Sequence, residues 1–354
     1  MKSLPRRLQR GRINGFALFA GGMITLVLAI AIGGNVLFES SLRVAPQLKP
    51  ALPATTSAQA SNPGIAASTS APTPVAGPAV ARAAGHEQPA QAGFTPPPES
   101  SIPGGEYGKV IRLGEQIFTN TGQFAARYVG NDLSCANCHL DAGRKPDSAP
   151  LWASFIHYPA YRSKTGQVDT LASRIQGCFQ YSMNGKAPAQ DDEVMTALQT
   201  YAFWLAKGAP VGTPVAGSGY PKLKKAAEAP DYARGERVYT QNCALCHGPD
   251  GQGQRTGERQ VFPPLWGARS FNWGAGMHQL GNAAGFIQAN MPLGKGGSLT
   301  EQEAWDVAMF MDSHERPQDP RFFRSVAETR KKFHDSDDSM YGRTVNGHVL
   351  GGGR

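Results

Sequence analysis

The chain has 354 residues, of which 40% are hydrophobic, and a formal net charge of +8. This length allows two ordinary domains with extensions and excludes a single compact unit. Five of the positive charges lie within the first twelve residues, so the remainder is only mildly basic and we expect no nucleic-acid partner.

The amino terminus combines a basic segment with a long apolar stretch. Residues 1–14 form the predicted cytoplasmic basic segment, and residues 15–38 contain no charge and a single Asn. As a helix the apolar stretch would reach about 36 Å, enough to cross a hydrocarbon core of about 30 Å. A cleaved signal peptide is the alternative, but its apolar region is normally shorter and ends at A-x-A spacing, which is missing here. We expect an uncleaved single-pass anchor in the inner membrane, with the rest of the chain in the periplasm.

The next segment, residues 39–102, has the composition of a linker. Ala, Pro, Ser, Thr and Gln dominate it, and large apolar side chains are almost absent. Such a tract cannot bury enough surface to fold. We predict a disordered tether between the anchor and the remainder of the chain.

Beyond the linker, one short motif occurs twice. SCANCH ends at His139 and NCALCH ends at His247, which gives two Cys-x-x-Cys-His motifs 108 residues apart. In this motif two thiols add across the vinyl groups of a haem, and the histidine becomes the proximal iron ligand. A disulfide loop or half a zinc site is the alternative, but a zinc site needs two further ligands at short spacing, which neither half shows. The residues predicted to bind two haem c groups covalently are Cys135, Cys138, Cys243 and Cys246.

Helical patterns flank both motifs. Helices are predicted at residues 109–119, 192–207, 231–242 and 300–313, the last beginning with a Thr-x-x-Glu capping box. We therefore predict an all-α fold of two tandem cytochrome c domains behind the anchor and the linker. The predicted divisions are a first domain at 103–207, an interdomain linker at 208–229, a second domain at 230–316 and a tail at 317–354. The tail has mixed charge and shows no functional signal.

The haem of the second motif, haem 2, has a clear candidate for its remaining axial ligand. Met291 lies 44 residues after His247 and directly before a proline, which is the ordinary arrangement for a thioether ligand on a loop. Met277, Met309 and Met311 compete with it, but the last two lie in the final predicted helix and are typical core residues.

The haem of the first motif, haem 1, has two candidates. Met183 also lies 44 residues after its motif histidine, so the internal repeat favours it. Cys178 lies five residues earlier, and its four possible disulfide partners are all assigned to haem. An iron within reach would hold this sulfur as a thiolate and lower the haem potential relative to a Met/His haem. A buried, unreactive cysteine is the plain alternative. The residues alone leave the ligand open.

The sequence resembles the dihaem thiosulfate dehydrogenases. The features that carry the resemblance are the two Cys-x-x-Cys-His motifs, the tract RIQGCFQYSMNGK and the tripeptide NMP, and it covers about 103–316. In that family the first haem is His/Cys ligated and catalytic, and the second passes electrons outward. The resemblance implies His139 and Cys178 as ligands of haem 1, with His247 and Met291 as ligands of haem 2.

The resemblance also indicates how the second haem behaves. Some members of the family carry a lysine beside the methionine ligand and exchange ligands on reduction. Here the neighbour is Asn290, so we expect no such exchange. Electrons would leave haem 2 for an external redox partner, such as a small cytochrome or a membrane oxidase.

The implied reaction joins two thiosulfate ions to tetrathionate with release of two electrons, or runs in reverse. Two dianions about 5 Å apart repel by roughly 3 kcal/mol even at the dielectric constant of water. The site therefore needs fixed cations, and basic residues exceed acidic ones between 144 and 186. The candidates for the catalytic site, besides Cys178, are Arg162, Arg174 and Lys186 as cations and Ser182 as a hydroxyl donor.

Two other functions remain possible at this stage. A non-catalytic dihaem electron carrier of a respiratory chain would favour a closed haem 1 with Met183 as its ligand. A dihaem peroxidase would need an open peroxide site and a carboxylate grouping of the calcium-binding kind, and the sequence contains no pattern for either.

Overall fold

The computed structural model describes residues 93–257 and 259–353. The predicted basic segment, the anchor and most of the predicted linker lie outside these residues. Among the described residues, no helix is both long enough and apolar enough to span a bilayer.

The first half of the described chain is a helical domain with one small hairpin. Its helices are α1 (Gly105–Thr119), α2 (Thr121–Phe124), α3 (Leu140–Gly143), α4 (Leu151–His157), α5 (Leu171–Gly177) and α6 (Glu193–Leu205). Strands β1 (Ala160–Arg162) and β2 (Gln167–Asp169) pair antiparallel. A π-helical turn, Cys178–Ser182, follows α5 directly.

The second half repeats this plan and adds two hairpins. Its helices are α7 (Tyr232–Asn242), α8 (Ala244–His247), α9 (Leu280–Asn290), α10 (Glu301–Asp312) and α11 (Val326–Phe333). The antiparallel pairs are β3 (Gln254–Thr256) with β4 (Arg259–Phe262), and β5 (Thr344–Val345) with β6 (His348–Val349).

Each domain is built on one close helix crossing. Helix α1 packs on α6, where a Cβ on Gly114 would lie 2.2 Å from the Ala197 carbonyl oxygen. Helix α7 packs on α10, where a Cβ on Gly235 would lie 2.0 Å from the Asp306 carbonyl oxygen. The two crossings correspond to each other and show that the internal repeat extends beyond the cysteine motifs.

The four predicted helices are confirmed as α1, α6, α7 and α10. The largest shift is at α1, which begins four residues before the predicted start, at Gly105. The capping box at α10 is present, with the Thr300 side chain accepting from the Glu303 N–H and the Glu303 side chain accepting from the Thr300 N–H. The fold is mostly helical, and the three short hairpins are the departure from the predicted all-α class.

The predicted linker extends too far toward the first domain. The Phe94 ring packs on Trp152 with the ring centroids 5.1 Å apart, and the Arg144 side chain donates to the Pro97 carbonyl at 2.7 Å. Residues 93–102 therefore belong to the fold, because one aromatic side chain in a polar tract finds a buried partner.

The predicted tail is also folded. Met340, Tyr341 and Leu350 are at most 5% exposed and belong to the core of the second domain. The segment therefore closes over that domain as part of its hydrophobic core.

Candidate functional site

The first cysteine motif lines a cavity whose wall comes mostly from the first domain. Cys135 and Cys138 lie in and directly after a short 3-10 turn, Cys135–Asn137, and His139 follows. About 1190 Å³ of this cavity, including space open to solvent, is free of protein atoms. Other residues on its wall include Phe118, Leu151, Arg162, Arg174, Cys178, Ser182 and Met183. The thiols and the imidazole thus face one space of the kind that a haem needs.

The His139 imidazole is prepared to act as a metal ligand. Its Nδ1–H donates to the Ala149 carbonyl oxygen at 2.6 Å, which leaves Nε2 with a free lone pair. Burial lowers the pKa of His139 to about 4, so the ring is neutral at neutral pH. These properties fit an iron ligand of the c type.

The second motif repeats the arrangement in the second domain. Cys243, Cys246 and His247 line a separate, mostly apolar cavity. The His247 Nδ1–H donates to the Pro263 carbonyl oxygen at 3.0 Å, and burial lowers the pKa of this histidine. The donor set again fits a covalently attached haem.

Three methionines line the second cavity: Met277, Met291 and Met311. Met291 ends α9 in extended backbone conformation and precedes Pro292, as the sequence predicts for a loop ligand. Met311 lies inside α10 and is 5% exposed, which is typical of a core residue. Asn290 is fully buried, and its side chain donates to the Asp147 carbonyl oxygen at 2.9 Å.

Both sulfur candidates for haem 1 reach the first cavity. Cys178 begins the π-helical turn and Met183 follows its end, with the Met183 N–H donating to the Cys178 carbonyl at 2.9 Å. The Arg174 guanidinium donates to the Cys178 sulfur at 2.9 Å. Proximity to this sulfur raises the pKa of Arg174. Cys178 is also a free cysteine with no disulfide partner.

The second domain holds the π-helical turn in place through one buried asparagine. The Asn272 N–H donates to the Tyr181 carbonyl at 3.2 Å. Its side chain donates to the Gln180 carbonyl at 2.9 Å and to the Asn184 Oδ1 atom at 3.0 Å. Asn272 is 0% exposed, so these hydrogen bonds are shielded from water.

The predicted cations divide between the cavity and the surface. Arg162 and Arg174 lie on the wall of the first cavity together with Ser182, and Arg162 is 3.6 Å from the Asp169 carboxylate. Lys186 was expected there, but the structure places it in an exposed position away from the cavity. Asn184 has a positive φ of 45° and reverses the chain, so that the Lys186 N–H donates to the Tyr128 carbonyl.

A third, polar cavity adjoins the first and contains residues that the sequence did not single out. We call it the polar vestibule. Its basic residues are Arg162, Lys164, Arg174, Arg321 and Lys332. Lys164 lies in the basic stretch before Cys178, and that stretch is the signal that could have found it. Arg321 and Lys332 come from the predicted tail, more than 140 residues after Cys178, and no local pattern connects them to the site.

The two haem cavities are adjacent. Leu133, Cys138, Phe271 and Met277 each line both of them. The two haem cavities therefore share parts of their walls. This short separation favours electron transfer between groups bound in the two cavities.

Comparisons with known proteins agree with this division into two cytochrome domains. The family described as "SoxA/TsdA, cytochrome c domain" matches residues 121–211. The family described as "Cytochrome C oxidase, cbb3-type, subunit III" matches residues 230–311.

Individual relatives match across both domains. The chain is 57% identical over 258 residues to the thiosulfate dehydrogenase of Thiomonas intermedia, covering 73% of this chain and 82% of the relative. It is 52% identical to the thiosulfate dehydrogenase of Stutzerimonas stutzeri, covering 73% of this chain and 85% of the relative. The solved thiosulfate dehydrogenase (TsdBA) from Marichromatium purpuratum is similar with a TM-score of 0.72 at 51% identity. That match covers 75% of this chain and 59% of the solved chain.

Proposed function

Because the chain belongs to the thiosulfate dehydrogenase family of dihaem c-type cytochromes, we propose that it joins two thiosulfate ions to tetrathionate in the first cavity and passes the electrons through the second. The protein is accordingly a cytochrome c-type oxidoreductase with two covalently bound haem c groups. The observation that carries the proposal is the Cys178 sulfur on the wall of the first haem cavity, in contact with the Arg174 guanidinium.

The haem groups would be held by the residues already described. Cys135 and Cys138 would hold haem 1 covalently and His139 would bind its iron, and Cys243, Cys246 and His247 would hold haem 2 in the same way. Haem, when bound, supplies one-electron redox chemistry. The chain supplies neutral imidazoles, fixed in orientation by backbone carbonyls at 2.6 and 3.0 Å.

Cys178 is the proposed sixth ligand of haem 1, and Met291 that of haem 2. A cationic donor at 2.9 Å stabilises the thiolate form of a cysteine, which is the form that binds iron. Met183 remains the competing ligand because it lines the same cavity. Met291 is supported by its position at the end of α9, outside a core helix.

The cations on the cavity wall would bind the substrate. Thiosulfate carries two negative charges, and the guanidinium groups of Arg162 and Arg174 can each donate two parallel hydrogen bonds to a sulfonate group. The Ser182 hydroxyl is a further donor at the same wall. In this proposal the arginines bind the sulfonate and the terminal sulfur of the substrate lies toward Cys178.

Charge and atoms balance in the proposed reaction. Two thiosulfate dianions form one S–S bond and give tetrathionate, a dianion, with two electrons released and no proton taken up or lost. The electrons leave one at a time from the first cavity to the second, across the wall of Leu133, Phe271 and Met277. A haem bound in the second haem cavity would supply the group from which an external redox partner accepts them.

We also propose that the protein is anchored in the inner membrane by residues 15–38, with both haem domains in the periplasm. The support is the uncharged apolar stretch behind a basic amino terminus. Fractionation of cells that express the full chain would test this, since release of all haem protein with the soluble fraction would contradict an anchor.

The substitution Cys178→Met tests the proposed ligand. Both haems should remain attached, while thiosulfate oxidation should fall by about 100-fold or more, or about 2.7 kcal/mol in activation free energy. Steady-state assays and electron paramagnetic resonance of the oxidised holoprotein measure the two effects. The low-spin thiolate signal should disappear in the variant.

Met183→Leu is the matched control, because it removes the competing sulfur from the same cavity. It should keep the thiolate signal and most of the activity. If instead Cys178→Met is fully active and Met183→Leu loses the native haem 1 signal, then Met183 is the ligand.

A further inference from the structure

The polar vestibule is formed by parts of the chain that are far apart in sequence. The turn after β1 contributes Lys164, helix α5 contributes Arg174, and the folded tail contributes Arg321 and Lys332. The carboxylate on its wall is that of Asp335, which lies in the tail. Five cations thus face one acidic side chain around this space.

Lys164 lies close to three other cations of the vestibule, Arg162, Arg174 and Arg321. Its ammonium group donates to the Gly274 carbonyl and lies 4.2 Å from the centre of the Tyr181 ring. Desolvation and the neighbouring charges of Arg321, Arg174 and Arg162 together lower the pKa of Lys164 to about 7, although the nearby Asp319 opposes them. The cations therefore repel one another, and a bound dianion would relieve this repulsion.

Arg321 and Lys332 are held in place by contacts within the tail. The Arg321 guanidinium binds the Asp319 carboxylate at 2.6 Å and lies 4.5 Å from the Phe333 ring centre. Lys332 lies over the rings of Phe323 and Phe333 at 4.7 and 5.1 Å. Among the ion pairs of the described residues, none includes Lys332, so its charge remains available to a ligand.

The vestibule opens directly onto the haem 1 cavity. Six residues line both spaces: Arg162, Arg174, Ser182, Ala275, Gly276 and Asn282. An anion in the vestibule therefore lies beside the wall where the proposed substrate contacts Arg174 and Cys178.

We propose that the polar vestibule is the subsite for the second sulfur oxyanion, holding the second thiosulfate before S–S formation and the distal sulfonate of tetrathionate afterwards. Lys164, Arg321 and Lys332 bind the distal sulfonate, and Arg162 and Arg174 are shared with the inner position. This inference rests on the proposed function. The folded tail thereby takes part in binding. Its cations offset the repulsion between the two dianions.

Lys332→Gln and Arg321→Gln test the subsite in the full-length oxidised holoenzyme. Each should raise the KM for thiosulfate by about 3- to 10-fold, and the effect should shrink at high ionic strength. Each should also weaken tetrathionate binding by a similar factor in calorimetry. Tetrathionate cannot accept electrons from the oxidised protein, so calorimetry measures binding without turnover.

Lys331→Gln is the matched control. Lys331 is exposed on the same helix, α11, one residue from Lys332, and it does not line the vestibule. It should retain the wild-type KM and tetrathionate affinity. Arg321→Lys, which keeps the charge, should restore most of the affinity lost in Arg321→Gln, whereas a merely structural role of the guanidinium would leave both variants impaired.

The outcomes separate the two proposals. If the wild-type protein does not oxidise thiosulfate, the proposed function fails. If the wild type is active but Lys332→Gln and Arg321→Gln both match Lys331→Gln in KM and tetrathionate affinity, the proposed function stands and the vestibule subsite is refuted.

Discussion

The Arg174 side chain makes a close polar contact to the proposed reacting sulfur. Its guanidinium donates to Cys178 at 2.9 Å from one helical turn earlier in the chain. A hydrogen bond between a cation and a thiolate is stronger than one between neutral groups. The pair therefore fixes where the sulfur lies before any substrate is present.

The substitution Arg174→Gln should lower the reduction potential of haem 1, because it removes a fixed positive charge beside the site and so favours the ferric state. Thiosulfate oxidation should fall by about 10-fold or more, with Arg174→Lys intermediate. A spectroelectrochemical titration and a rate assay measure the two effects. Arg237→Gln removes an exposed arginine from α7 and serves as the control. An unchanged potential in Arg174→Gln would show that its charge does not reach the haem.

The roles of individual residues could be predicted where a short sequence motif specifies a chemical function. The haem cysteines, both motif histidines and the unpaired Cys178 follow from the sequence, and the structure brings them to two cavities. Lys186 shows that a position close to Cys178 in sequence does not ensure a position at the site. It lies eight residues after Cys178, yet a left-handed residue at Asn184 turns the backbone away. Positive φ at an asparagine is permitted but not specified by the local sequence.

The paired helices show why the two domains share one architecture. A glycine at the α1 and α6 crossing, Gly114, lets the two backbones approach without a side chain between them. Gly235 has the same role between α7 and α10. The close approach in each domain holds in place the helix that precedes its haem motif.

The substitution Gly114→Ala should destabilise the first domain by about 2–3 kcal/mol. The new Cβ would lie 2.2 Å from the Ala197 carbonyl oxygen and 2.6 Å from the Tyr201 Cβ, so the helices must separate. The urea unfolding midpoint of the holoprotein measures the loss. Gly122→Ala is the control, since its Cβ would meet nothing within 4 Å. Equal midpoints for the two variants would contradict a close crossing.

Helices were predictable at this scale, and short strands were not. Periodic apolar residues and the capping box at Thr300 indicate helices about three turns long, and the structure contains them. Strands β1 and β2 have three residues each, too short for an alternating pattern to appear. Their hairpin nevertheless places Arg162 and Lys164 at the site.

At the scale of the whole molecule, a buried chain of hydrogen bonds joins the tail to the second domain. His334 Nε2 lies 2.9 Å from the Asp319 carboxylate, and His334 Nδ1 lies 3.1 Å from His278 Nε2. His278 Nδ1 contacts the Ala275 carbonyl, beside the first haem cavity. The hydrogen bonds stabilise the tail in the position that supplies Arg321 to the vestibule.

The buried His278 should make stability depend on pH. Burial, together with the nearby His334, lowers the pKa of His278 to about 3, whereas a histidine in the unfolded chain titrates near 6.5. Between these values the unfolded state binds more protons, so stability is lost as the pH falls from about 6.5 toward 3. The contribution reaches at most about 1.4 kcal/mol per pH unit.

His278→Gln should therefore give a shallower fall of the unfolding free energy between pH 7 and pH 4 than the wild type shows. Chemical denaturation at several pH values measures the slope. His157→Gln, at an exposed position, should keep the wild-type slope. A slope in His278→Gln as steep as that of the wild type would exclude His278 as its source.

The arrangement of distant segments could not be predicted from one sequence. The tail has mixed charge and few apolar residues, but Met340, Tyr341 and Leu350 are buried in the second core. Their burial depends on a surface that exists only after the second domain has folded. The vestibule depends on the same long-range packing, which is why sequence reasoning found Arg162 and Arg174 but not Arg321.

The hydrogen bonds of Asn272 have a consequence for how this protein can diversify. Because a buried amide of the second domain orders the turn that begins with Cys178, the two halves are not interchangeable modules. Recombination that joins this first half to an unrelated cytochrome would preserve haem attachment while leaving the turn unsupported. Natural variation should therefore replace the two domains together, as one inherited unit, even though each carries its own motif and its own core.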